Sequence, residues 1–514
     1  MKTELLRKIL GKGVVVCAVL ACGVLCAPSA FAGMIFDGDG SDEPGFVPPP
    51  ERKLPPPPPA NIAGAETLIP YPPPPAQPQS RSEKKKPPRP PVMFTKLTSA
   101  YGPLDWNARP NDLNNLLKAL KEMVDVDYDY DSKSFAEVDA DPEKNPILYR
   151  TGHFHWTLSD AEKEKLRAYL LNGGTLILNA GMGSKPFYDS ALKVMAEVLP
   201  EAPVQRLNND HAIFHSYYDI GQVKYRKGVR AMGYTGYDPW IEGATVDCRT
   251  VCFISRFGME TGWDPLPDED ILAYASDSAC KLGMNILSYA TTMQSWARQT
   301  ARKITYVDSE NVTSAASMNI GQVIYDGEWK TRHTALSLLL REFNRKTKIP
   351  VKFARRELRL TDSALADTPV LYMTGHDYFK LSSTDVAALR NYLENGGLLI
   401  GEACCGRAAF QKGFQDMMAQ VMPDTKGVAI PKNDPLYTQP NRITELQATE
   451  ALRQISGPRV SPELYLWSTQ GHPSVIYSPK GLAGGWELSS NPYSIGYTDS
   501  LPLGENILMY AITR

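Results

Sequence analysis

PILYRTGHFHWTLSDAEKEKLRAYLLNGGTLILNAGMG, from Pro146 to Gly183, and PVLYMTGHDYFKLSSTDVAALRNYLENGGLLIGEACCG, from Pro369 to Gly406, are two copies of one pattern that align without a gap. Each reads as strand, Gly-His turn, helix, Asn-Gly-Gly stop, strand and Gly-ended loop. The register extends in both directions. Trp106 stands on Trp329, Arg109 on Arg332, Phe187 on Phe410 and Pro200 on Pro423. It slips in a loop and returns at Gly258 on Gly481 and Trp263 on Trp486. Both copies end alike, with Gly283, Asn285, Ile286, Leu287 and Tyr289 answered by Gly504, Asn506, Ile507, Leu508 and Tyr510. A repeat of this length is one domain duplicated. The expected units are residues 94–297 and 318–514, joined by a short linker from about Ser295 to Met318.

Within the second unit, Ile320 to Tyr325, Val351 to Phe353, Val370 to Thr374 and Leu398 to Gly401 read as strands. Leu336, Leu339, Leu340 and Phe343 have helical spacing, and Ser382 caps a helix that stops at Gly396-Gly397. Strands alternating with helices predict an α/β fold with a doubly wound, flavodoxin-like parallel sheet. Arg230 to Phe257 and Leu464 to Tyr477 are rich in β-branched and aromatic residues and predict added β-structure at one end.

The balanced charge, −2 overall, provides no field for nucleic acid or an acidic membrane surface. Lys2, Arg7, Lys8 and Lys12 precede an apolar stretch from Gly13 to Cys26, and Ala30-Phe31-Ala32 offers a cleavage site. Residues 1–32 therefore read as a signal peptide, and the protein as exported to the periplasm or beyond. Lipidation at Cys22 or an uncleaved anchor is the alternative route to the membrane. Residues 33–93 are crowded with proline, which fixes φ and removes the amide donor, so this stretch reads as an extended, disordered spacer. Of eight cysteines, Cys248, Cys252, Cys280, Cys404 and Cys405 lie outside the signal. Five is an odd number, and the pairing that suggests itself is Cys280 with Cys248 or Cys252.

Ligands of open α/β sheets sit beyond the carboxyl ends of the strands. Three features should meet there. They are the Gly-His turns at His153 and His376, the loops at Gly181-Met182-Gly183 and Cys404-Cys405-Gly406, and Asp210-His211 through His215, matched weakly by Asp434. Cys404 or Cys405, with His376 or His472 as base, has the composition of a thiol acyl-transfer site. Buried packing of the same cysteines is the competing role. His153, His155, His211 and His215 could instead gather a divalent metal in the first domain, bind a polar ligand with Asp210, or bond loop backbone. Asp326 and Trp329, in Tyr325-Asp-Gly-Glu-Trp329, could face the same crevice or serve the turn.

Tyr325 to Trp329, Tyr372 to His376, Leu389 to Gly397 and Gly504 to Leu508 resemble the bacterial family called domain of unknown function 4159. Tyr149 to His153, Leu166 to Gly174 and Asp210 to Phe214 carry the resemblance in the first copy. That family is similar to the class I glutamine amidotransferase fold, which implies a flavodoxin-like sandwich. The amidotransferases use a Gly-x-Cys-x-Gly elbow with a late histidine and glutamate. Here Gly401-Glu-Ala-Cys404-Cys405-Gly406 is one residue too long, Ser474 stands where the glutamate is wanted, and the first copy has no cysteine. The expectation is an exported, non-catalytic binding or scaffolding protein of the cell envelope with no resident cofactor. Its partner would be an envelope protein or a polar ligand. A cysteine hydrolase or amidase in the second domain, or a metal site in the first, are the alternatives.

Overall fold

Ile147–Gly152 (β3) and Val370–Gly375 (β10), each opening on a short apolar run, are buried at every residue, as central parallel strands require. They sit mid-sheet in a computed structural model that describes residues 91–514, except 125–126, 308–316, 348–351, 490 and 514. The expected signal peptide and most of the expected spacer lie outside the described residues.

The first repeat adds Val92–Leu97 (β1), Tyr128–Lys133 (β2), Thr175–Ala180 (β4), Gln205–Arg206 (β5), Ile241–Val246 (β6) and Arg249–Ser255 (β7). Its sheet runs β2-β1-β3-β4-β7-β6-β5. The second repeat adds Ser317–Ile324 (β8), Lys352–Arg359 (β9), Leu398–Ala403 (β11), Val428–Ala429 (β12), Tyr465–Thr469 (β15) and His472–Ser478 (β16), with Leu446–Gln447 (β13) and Arg459–Val460 (β14) as a separate ribbon. Its order, read from the other edge, is β9-β8-β10-β11-β16-β15-β12, the same topology. Five strands of each sheet are parallel, and the last two turn antiparallel. The fold is therefore α/β with two mixed seven-stranded sheets, a parallel core carrying the added β-structure expected at one end.

Two departures from the sequence expectations are local. β1 opens at Val92, inside the stretch assigned to the spacer, because Val92 to Leu97 pairs with β2 along its whole length and buries its last four residues. The helix Ser276–Val307 runs through residues assigned to the linker, which contain good helix formers and neither Gly nor Pro.

The Asn-Gly-Gly stops have a packing reason. Tyr169 donates its hydroxyl to Asn145 O at 2.9 Å, and Tyr392 donates to Thr368 O at 2.9 Å. A Cβ on Gly174 would stand 2.2 Å from the Tyr169 ring, and one on Gly397 2.3 Å from Tyr392. Each glycine makes room for the tyrosine that ties the helix to the strand before it. Gly174→Ala is expected to cost about 1–3 kcal/mol through overpacking, read as a lower urea midpoint; Gly397→Ala should behave alike.

Candidate functional site between the two repeats

β4 and β11 each end in a tight elbow before a helix. The central residue is left-handed in both, Met182 at φ 49° and Cys405 at φ 55°. A conformation costly for a side-chain-bearing residue thus belongs to the fold and does not by itself mark a nucleophile. In the second repeat the elbow places Cys404 and Cys405 beside His376, which follows β10.

The remaining wall comes from the first repeat. The tip of the β6–β7 hairpin, Asp247-Cys248, enters the strand-end crevice of the second repeat. Cys248 Sγ lies 3.3 Å from Cys404 Sγ and donates to Thr331 O at 3.3 Å. Asn491 Nδ2 donates to Cys248 O at 3.0 Å, and His333 N donates to Asp247 Oδ1 at 3.2 Å. The loop after β5 adds a second contact. Arg407 and the Ala409 amide donate to Asp210, and Asn208 Nδ2 donates to Asp377 Oδ1 at 2.7 Å. Tyr289 stacks on Tyr493 at 5.4 Å. The first repeat's core extends through these contacts onto Cys404 and Cys405, and both repeats belong to one compact unit.

One ligand atom from each of Cys248, His376, Cys404 and Cys405 lies within 4.8 Å of every other, and all four residues are buried. Cys404 Sγ and Cys405 Sγ are 3.9 Å apart and unbonded. His376 Nδ1 donates to Glu328 Oε2 at 2.7 Å, which leaves Nε2 as its free nitrogen. Burial opposes a charged His376, but Cys404, Cys405 and Glu328 raise its pKa well above the ordinary imidazole value. Hydrogen bonds from Cys248 and Cys404, opposed by burial and aided by His376, bring the Cys405 thiol well below its ordinary value. Burial pushes Cys248 and Cys404 up. Within the cluster the surroundings thus favour charge on Cys405 and His376 and disfavour it on Cys248 and Cys404. The buried Arg332 lies within electrostatic reach of the cluster. Burial would depress that guanidinium, yet Cys248, Glu487, Cys405 and Cys404 hold it well above its usual value. A cavity of about 40 Å³ opens beside Cys405, lined by His211, Thr250, Glu328, His376 and Arg407 among others.

Several sequence candidates fall elsewhere. His472 opens β16, which runs parallel to β11, so it sits at the amino end of the sheet beside Pro369 and Gly396. A strand of six or seven residues, roughly 20 Å, separates it from the thiols, and it is no base for them. His472→Ala is expected to leave the alkylation rate of Cys405 unchanged, followed by iodoacetamide labelling and mass spectrometry.

The four first-repeat histidines form no common ligand group among the described residues. His211 accepts from Ile213 N at Nδ1 and donates to Thr250 Oγ1 from Nε2, so both nitrogens are used. His215 is bound likewise to Asp219 and Asn209 O. The His153 ring lies against Gly181, while His155 is exposed. Among the described residues, the group whose ligand atoms converge is instead the Cys/His cluster between the repeats. Asp434 caps the turn at Leu436, Asp326 is solvent-exposed opposite Arg359, and Trp329 packs beside Lys330. Asp210 reaches the site region, as an inter-repeat contact. The proposed Cys280 pairing does not occur, since Cys280 bonds Gly262 O, Cys252 is in the sheet core and Cys248 faces the second repeat.

Cys248 and Arg332 are the residues missed, while of the carboxylates in Tyr325-Asp-Gly-Glu-Trp329 it is Glu328 that reaches the site. One signal was in the repeat register, where Cys248 stands on Gly471. Both tips are left-handed, Cys248 at φ 63° and Gly471 at φ 84°. A cysteine held where its counterpart is glycine bears a strain that packing alone does not require.

The fold and its paired crevices define a tandem α/β protein in which one repeat closes the site of the other. The family described as "Domain of unknown function (DUF4159)" matches residues 94–291 and 319–512, and the chain belongs to that family in two tandem copies. No curated protein matches the chain. Among solved structures it shows similarity to the Alpha-L-fucosidase isoenzyme 2 from Paenibacillus thiaminolyticus at 9% identity, over 82% of this chain and 83% of that one, with a TM-score of 0.21. A likeness that slight bears on neither fold nor activity.

Proposed function

We propose that the protein is an exported, non-catalytic binding or scaffolding protein of the bacterial cell envelope, with its ligand site in the crevice between the repeats. The observation that carries the binding role is the size of that space. The cavity is about 40 Å³ and Cys405 is 8% exposed. Pockets for organic ligands run to about 300–1,000 Å³, and an attacked carbonyl must come within roughly 3–3.5 Å of the nucleophile. The space suits an ion or a few waters. Export is supported by the basic and apolar N-terminal pattern, and a spacer rich in proline would hold the repeats away from an anchor or partner.

The test is a panel of amide and ester substrates with the purified chain and its Cys405→Ala variant. The expected result is the same background hydrolysis for both. Mass spectrometry of the secreted product should give a chain beginning at Gly33.

A second reading has one specific observation in its favour. Glu328 orients His376 toward Cys405, an acid–histidine–thiol series of the kind that serves acyl transfer. Turnover that disappears with Cys405 would establish it in place of the binding role.

A further inference from the structure

We propose that Cys248, Cys404, Cys405 and His376 Nε2 form a tetrahedral site for a divalent cation of the zinc type, and that the ion fastens the first repeat's hairpin into the second repeat's crevice. The proposal names the ligand of the binding site described above and rests on that site binding rather than turning over.

The donor set is the first argument. Three thiolates and one imidazole match closed structural zinc sites, in which zinc–sulfur bonds of about 2.3 Å put tetrahedral sulfurs roughly 3.8 Å apart. The sulfur separations here, 3.3 and 3.9 Å, bracket that spacing, and all four donor atoms lie within 4.8 Å of one another. Three cysteines collected solely for packing have no reason to converge on one imidazole.

The surrounding groups are the second argument. Glu328 accepts the Nδ1 proton of His376 at 2.7 Å, the carboxylate–histidine arrangement that fixes the tautomer and aims Nε2 at a metal. Three thiolates, a neutral imidazole and a divalent ion would total one negative charge, and the buried Arg332 guanidinium, paired with Glu487 at 2.7 Å, brings a cation near the thiols. Asp377 and Arg407, of opposite charge, also line the cavity.

Comparison of the repeats is the third argument. The first repeat preserves the elbow and the Gly-His turn, but has Gly181 and Met182 at the two cysteine positions, and the second repeat's hairpin tip has Gly471. The shared fold therefore does not need these thiols. They occur only where the two repeats touch.

The experiment is elemental analysis of the full purified chain after dialysis, followed by replacement of the native ion with Co²⁺ and optical spectroscopy. One ion per chain and the intense visible bands of tetrahedral thiolate cobalt are expected. Cys248→Gly carries the residue its counterpart has at a left-handed tip, so it should fold, as circular dichroism would verify. It should weaken metal affinity at least 100-fold, and Glu328→Gln about 10- to 100-fold. A His153→Ala, His215→Ala double variant should retain the wild-type stoichiometry. Absence of bound metal from the folded protein even after added Zn²⁺, or cobalt bands unchanged in Cys248→Gly, would overturn the proposal. Such a result leaves the binding role standing unless Cys405-dependent turnover is found, so the two can fail separately.

Discussion

Arg332→Met is expected to destabilise the second repeat by about 3–5 kcal/mol, seen as a large drop in its urea midpoint by tryptophan fluorescence. Arg332 is almost fully buried and donates to Glu487 Oε2 at 2.7 Å, and Thr334 Oγ1 donates to the other oxygen at 2.6 Å. Methionine fills much of the same volume but leaves the Glu487 carboxylate uncompensated in the interior. It also removes the cation opposite the thiol cluster. The same repeat position supplies the control. Arg109 pairs with Asp264 at 3.2 Å from a more accessible site, so Arg109→Met should cost no more than about 1 kcal/mol. Similar losses at the two positions would refute the claim that burial decides the difference.

The second large effect is expected in the first repeat. Arg150 donates to Asp105, and Asp105 in turn accepts from the backbone of His153 at 2.6 Å and Phe154 at 3.0 Å. The ion pair thus holds the Gly-His turn. Arg150→Met should cost about 3–5 kcal/mol by stranding a buried carboxylate. Adding Asp105→Asn should recover a large part of that loss, a coupling measurable in a double-mutant cycle. The second repeat shows the alternative solution, because Met373 stands at the arginine position and Glu328 at the aspartate position. With no arginine to occupy it, Glu328 is free to bond His376.

The pH dependence follows from the same pair. Burial raises the Asp105 carboxyl, but hydrogen bonds from Ser99 and Arg150 and the Arg150 charge bring it below its usual value. A group depressed in the folded state contributes stability above its unfolded pKa, about 3.9, and loses it as pH falls through the folded value. The Arg150→Met deficit should therefore be full at neutral pH and shrink in acid below about pH 4. A deficit that is constant from pH 7 to pH 2 would exclude this linkage.

Much of this protein was legible from local pattern. Short apolar runs pointed to buried parallel strands, Ser382 and the Asn-Gly-Gly stops bounded a helix, and the Gly-His turn located the strand-end crevice. His376, Cys404 and Cys405 were found because they sit at fixed places in that pattern. His472 was misplaced because a composition match carries no strand direction. Once β16 is seen to run parallel to β11, its first residue must lie at the opposite end from the elbow. The first-repeat histidines misled for a related reason. Closeness in sequence gathered them, whereas the His211 and His215 rings each turn to their own backbone and side-chain partners and His155 is exposed.

The sequence by itself determined two copies of one α/β fold, because duplication and side-chain periodicity are properties of the chain read in order. Only the tertiary structure decided that the site is composite. Cys248 is 156 residues from Cys404, and no helical or strand period relates them. Their meeting depends on which face of the first repeat packs on the second. That choice is made by complementarity between the Asp247-Cys248 tip, Asp210 and Tyr289 on one side and the His376, Arg407 and Tyr493 crevice on the other.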